Sequence, residues 1–139
     1  MAKRNKIWLP YSSKKPEPKI PEALKAELTE EANVLIETKL KPWKLDLDEA
    51  FKEKGFNYVV DVYTTWWRNY FYFCSKYRCP GPNAITEYFE ARFTRMKYVG
   101  GGRFNLAYMR HTGQWWEVYE GLTLEECLET VEKEQIFWP

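Results

Sequence analysis

His111 is the only histidine in the chain, so acid–base or nucleophilic chemistry centred on imidazole has to run through it. A triad around it needs a serine or cysteine and a carboxylate, and no G-x-S-x-G elbow exists to present a nucleophile. His111 lies between Met109-Arg110 and Thr112-Gly113, where it reads as a turn residue, and no catalytic residue is assigned. Cys74, Cys79, Cys127 and His111 are formally enough for a tetrahedral Zn²⁺. Structural zinc ligands come as close Cys pairs, however, so three ordinary thiols and no metal or other cofactor are expected. Residues 117–135 hold seven acids against Lys133, a density that a solvated helix face explains without a site. Gly100-Gly101-Gly102 lacks the Lys-Ser/Thr of a phosphate cradle and reads as a hairpin turn.

The remaining candidates are arginines and tyrosines at alternating positions of expected strands. If Phe89, Ala91 and Phe93 point towards helices, then Tyr88, Arg92 and Thr94 point outward, and neighbouring strands add Arg68, Tyr70, Tyr72 and Arg110. Rings that stack on bases, set between guanidinium groups that neutralise phosphates, are what single-stranded nucleic-acid platforms use. Tyr and Arg are equally what protein interfaces select, and cross-strand Tyr and Arg pairs stabilise sheets with no partner at all. The expected function is therefore a non-catalytic interaction module that uses this face to bind protein or to self-associate. The alternative is single-stranded nucleic-acid binding through the same face.

The elements that must position these residues follow from composition and periodicity. A chain of 139 residues is the size of one domain, and its 18% aromatic content suits a sheet, because aromatics favour pleated, half-buried surfaces. The formal charge of +1 is unevenly spread: residues 1–20 carry six basic residues against Glu17. With Pro10, Pro16 and Pro18 among Lys and Ser, residues 1–20 read as a flexible basic arm, interrupted by an apolar Ile7-Trp8-Leu9. The arm would add salt-sensitive affinity for nucleic acid. Residues 21–139 read as a single α+β domain.

Pro21 suits the first position of a helix, and Leu24, Leu28, Ala32, Leu35 and Ile36 recur at helical spacing until Pro42. Residues 45–54 are either a second short helix or an extended link. From Phe56 the period changes to two, and strands are expected from there to about Thr65, then over Tyr70–Tyr77, Thr86–Tyr98, Arg103–Arg110 and Trp115–Tyr119. The turn-forming residues between them make this a five-stranded antiparallel meander. Thr123 with Glu126 forms a capping box for a last helix, whose stripe is Leu124, Cys127, Leu128 and Val131. Ile136-Phe137-Trp138 must then pack back on the domain rather than stay exposed. No apolar run is long enough for a membrane span, no signal-peptide core follows the N-terminal charges, and three Cys are an odd number, all of which point to the cytoplasm.

Ala91-Arg92-Phe93, Phe104-Asn105-Leu106-Ala107-Tyr108-Met109-Arg110, the turn into Trp116 and Tyr119, and the ending Ile136-Phe137-Trp138 together resemble the uncharacterised bacterial domain-of-unknown-function family 3024. The likeness runs over roughly residues 25–139 and is clearest after residue 86. It implies a leading helix, a meander and a closing helix, and no activity. Glu117 stands where the family pattern has a His, so chemistry that depends on that His is not carried over.

Overall fold

The computed structural model describes residues 17–139. Residues 1–16 of the predicted arm therefore lie outside the described residues, and of its last four Ile20 is buried in the core. Pro21 precedes α1 (Glu22–Leu35), whose Leu28, Ala32 and Leu35 face the sheet. The expected stop at Pro42 does not occur. A π-helical segment, Ile36–Leu40, continues the axis into α2 (Lys41–Leu47), with the Lys41 N–H bonded to the Ile36 carbonyl five residues back. Proline clashes with the carbonyl four residues before it in an ordinary helix, and the wider turn gives that carbonyl room. The undecided stretch is helical, as α2 and α3 (Glu49–Glu53).

The sheet is a five-stranded antiparallel meander in chain order: β1 (Tyr58–Trp67), β2 (Tyr70–Arg78), β3 (Tyr88–Gly100), β4 (Arg103–Met109) and β5 (Trp115–Thr123). The helices cover one face. Its inward side chains, among them Val59, Val62, Phe71, Phe73, Phe93, Met96, Phe104 and Leu106, meet Leu28, Ala32, Ile36 and Leu40 and the stripe of α4 (Leu124–Lys133). The α4 capping box is formed: the Glu126 N–H donates to Thr123 Oγ1 at 3.2 Å and the Thr123 N–H to Glu126 Oε1 at 2.8 Å.

Two β-bulges set which side chains face where. One between Val59 and Asp61 turns both Val59 and Val62 inward, which is why alternation is blurred along β1. The other inserts Phe93 between the pairs Phe73 with Thr94 and Cys74 with Arg92. Beyond it the phase of β3 is reversed. Thr94, expected outward, is buried and donates from Oγ1 to the Phe137 carbonyl at 2.8 Å, while Arg95 takes the outward place.

The C-terminal residues close the core. Phe137 is fully buried against Tyr108 and Tyr119, and Trp138 sets its ring edge-on to Trp43 with centroids 4.7 Å apart. Asp48 ties the helical layer to the sheet, accepting from the Val59 N–H at 2.8 Å and pairing with Lys44 Nζ at 3.0 Å. Among the described residues no helix is long and apolar enough to cross a membrane.

Candidate functional site: a cationic and aromatic sheet face

The face turned away from the helices is built by strand registry. Antiparallel pairing sets Tyr70 opposite Lys97, Tyr72 opposite Arg95, and Arg95 in turn opposite Ala107, which faces Glu117. Tyr70 and Tyr72, two apart along β2, share this face, and Trp67 at the end of β1 pairs with Tyr70 across the hairpin, so the three rings line up. Their ring centroids are 6.1 Å and 6.0 Å apart in sequence, with planes inclined by only 25° and 19°.

Guanidinium groups thread this row. Arg68 lies 4.6 Å from the Trp67 ring centroid and Arg92 lies 4.1 Å from that of Tyr72. Arg95 bridges two rings, at 5.1 Å from Tyr70 and 5.0 Å from Trp115. Trp115 closes the set by approaching Tyr72 at 5.8 Å. Contacts of this kind contribute about 0.5–1 kcal/mol each when exposed and more when desolvated.

Cations outnumber acids on this face, whose carboxylates include Glu90, two residues before Arg92 on the same side of β3 and accepting from the Tyr63 hydroxyl, and Glu117. Arg95 has Glu117 at 4.0 Å, and Glu117 is held by Asn105 Nδ2 at 3.2 Å. Among the described residues, Arg68, Arg92 and Lys97 have no carboxylate partner within 4.0 Å. Residues 1–16 contain no Asp or Glu that might supply one. The buried Nε–H of Arg95 likewise has no acceptor among the described residues.

The structure thus brings together four of the six residues singled out from sequence: Arg68, Tyr70, Tyr72 and Arg92. Tyr72 is only 5% exposed, so it supports Arg92 and Trp115 from beneath instead of offering its own ring. Tyr88 is at the far end of β3, under Lys76 at 4.8 Å and Arg78 at 5.3 Å. Arg110 belongs to another pair, over the Trp116 ring at 4.7 Å, across from Tyr108 on the helix side of the sheet. Sequence reasoning passed over Arg95 and Trp115. Only the bulge at Phe93 puts Arg92 and Arg95, three apart, on one face, and no local pattern announces it. Trp67 is 51% exposed and was read as part of a connection, whereas it ends β1 beside a two-residue hairpin. Arg68 holds that turn with φ of 55°, a left-handed conformation that a Cβ-bearing residue adopts at a cost of about 1–2 kcal/mol.

The thiols are held apart. Cys74 is buried on the outward side between Tyr63 and Arg92, Cys79 follows β2, and Cys127 is in the core stripe of α4. Burial pushes the Cys74 thiol up to about 11, against the lowering influence of Arg92. Burial, with Glu126 adding to it, pushes Cys127 up to about 12. Thiolate is the reactive form, so native protein at pH 8 is expected to take up iodoacetamide at Cys79 alone, with Cys74 and Cys127 labelled only after unfolding. Peptide mass mapping checks this. The same shifts make the unfolded chain release its thiol protons first as pH rises through 9, so stability is expected to fall between pH 9 and 12.

The carboxylates of Glu27, Glu31 and Glu125 also meet, with one oxygen of each within 4.8 Å of the others, on exposed helix surface. Burial, followed by hydrogen bonding to Glu27, raises the Glu31 carboxyl above its ordinary range.

No solved structure and no curated protein matches the chain. Residues 27–139 match the family described as "Domain of unknown function (DUF3024)", a span that takes in α1 from Glu27 onward, every strand of the cationic and aromatic face and the closing helix. The chain belongs to this family.

Proposed function

We propose that the protein is a non-catalytic binding module whose outward sheet face takes single-stranded nucleic acid. The observation that carries this reading is the row Trp67, Tyr70, Tyr72 and Trp115 interleaved with Arg68, Arg92 and Arg95, beside Lys97, with Glu117 the one carboxylate that pairs with any of these cations among the described residues. Such a face calls for a partner that is both anionic and rich in flat rings. Exposed Trp67 and the guanidinium planes of Arg68 and Arg92 supply stacking surfaces, and the unpaired cations meet phosphates. Pairing of this face with a second copy would set like charges against each other.

Fluorescence anisotropy with labelled single-stranded RNA and DNA tests the reading. Retention is expected at low salt, falling with a log–log slope of about −2 to −3 if three or four of these cations contact phosphate. Arg92→Ala and Trp67→Ala should each weaken binding about 5- to 100-fold, in line with about 1–3 kcal/mol per stacked base. Arg68→Gly should weaken binding too while leaving thermal stability equal or higher, because glycine adopts the turn's positive φ freely. No retention at low salt, or affinity unmoved in Arg92→Ala, sinks the proposal.

A second reading, association with protein or with itself, is favoured by a different surface. An open cleft of about 880 Å³ at the β2–β3 end is lined by Phe51, Phe56, Ile85 and Phe89, all exposed. Self-association through it predicts a concentration-dependent dimer in sedimentation equilibrium that Ile85→Asp abolishes; a monomer at every concentration removes that form of it.

A further inference from the structure

A groove of about 400 Å³ runs between α1 with its π-helical extension and α4, on the side of the molecule opposite the cationic face. Its floor is apolar: Val34, 57% exposed, Leu35 and Leu128. Its walls are acidic, with Glu31 and Glu125 at one end and Glu129 and Glu132 at the other. Glu129 pairs with Lys133 and Glu132 with Lys39, but Glu27, Glu31 and Glu125 crowd one another, with no lysine or arginine within 4.0 Å among the described residues. An acidic rim that is uncompensated at its Glu27, Glu31 and Glu125 end, beside an exposed apolar floor, suits a basic segment with an apolar centre.

The chain contains one. Residues 1–16 carry Lys3, Arg4, Lys6, Lys14 and Lys15, no acid, and the apolar triplet Ile7-Trp8-Leu9 between the two basic groups. We propose that this segment docks in the groove of its own chain, Trp8 and its neighbours lying on Val34 and Leu128 and the lysines meeting the glutamates of either rim. Aromatic side chains bury roughly 150–250 Å² each, and this floor is where Trp8 gains that burial.

Chain length permits it. The start of the path is fixed where Pro18 packs at Gly100. Gly100 pairs with Arg103 and Arg103 with Thr123, the cap of α4, two strand spacings of about 5 Å each, and Leu128 lies five residues further along the helix, about 8 Å. Leu9 is nine residues before Pro18, up to about 32 Å of extended chain, so the triplet reaches the groove. Lys14 and Lys15 fall near the Glu27, Glu31 and Glu125 end on that path, and Lys3 to Lys6 near Glu129 and Glu132. The cleft at Phe51 and Phe89 is a poorer destination. Pro18 packs at Gly100, and Phe89 is eleven residues away along β3, about 36 Å. Leu9 is nine residues before Pro18 and reaches at most about 32 Å. The groove serves the helix layer and is independent of the nucleic-acid reading of the sheet.

Zero-length carbodiimide coupling of the full chain, mapped by mass spectrometry, tests the docking. The expected result is amide bonds from Lys3 or Lys6 to Glu129 or Glu132, and from Lys14 or Lys15 to Glu27, Glu31 or Glu125, all within one chain. Trp8→Ser, a change outside the described residues, should lower the yield of the Lys3 and Lys6 products at least fivefold. Mixing unlabelled with ¹⁵N-labelled protein separates products within a chain from products between chains. Arm lysines spread evenly over the exposed carboxylates of the domain, no coupling at all, yields unmoved by Trp8→Ser, or products that join labelled to unlabelled chains would each overturn the proposal.

Discussion

Replacing Phe137 by alanine is expected to lower the unfolding free energy by about 3–5 kcal/mol, the range for removing a fully enclosed aromatic ring. The residue is third from the end of the chain, where most substitutions are harmless. Here the ring is fully buried, with Tyr108 and Tyr119 at 6.2 Å and 6.3 Å between centroids. Its carbonyl accepts the hydroxyl of Thr94, which the bulge in β3 turns inward. The truncation therefore opens a cavity where the end of the chain meets the sheet and loosens the grip on that hydroxyl. Urea denaturation followed by fluorescence measures the loss, and the exposed Ile136→Ala should change stability by less than about 0.5 kcal/mol. A loss under 1 kcal/mol for Phe137→Ala would show that the C-terminal segment is not part of the core.

Asp48→Ala is expected to cost about 3 kcal/mol. The carboxylate is 3% exposed and has two partners, the Val59 N–H at 2.8 Å and Lys44 Nζ at 3.0 Å. Removing it leaves a lysine with a mostly covered stem without its counter-charge and the first residues of β1 without their tie to the helices; breaking a buried pair from one side typically costs 3–5 kcal/mol. Lys44 has some access to water, which places the expectation at the low end. Asp48→Asn retains an acceptor for Val59 and should lose less than alanine does. Equal losses in both variants would mean that the Lys44 charge contributes most of the effect.

Much of the fold was legible because its signals are local. Thr123 and Glu126 announce α4 through a reciprocal pair of hydrogen bonds three residues apart, and the structure forms both. Turn-forming residues at 79–83, 100–102 and 111–113 separate strands whose alternation marks them, so meander order needs only that neighbours in sequence pair. Pro42 misled for a physical reason: the rule that proline stops a helix assumes α-geometry, and the π-helical turn at Ile36–Leu40 suspends that geometry just before it. The candidate site was only partly visible. Tyr70, Tyr72 and Arg92 fall on one face by simple alternation, whereas Arg95 joins them through a bulge and Trp115 through the register of β4 on β5.

By itself the sequence determined the number and order of strands, the helix at each end of the domain, the capped start of α4 and the apolar character of Ile136-Phe137-Trp138, whose Phe137 enters the core. These depend on contacts within a few residues or on periodicity, which composition and spacing record directly. Tertiary structure alone decided which side chains share the outward face, that Tyr72 is covered while Trp67 is open, and that Thr94 turns in to hold Phe137. A one-residue bulge reverses every side chain beyond it, and its position is chosen by how the two layers fit, so it is recorded in no single stretch of sequence.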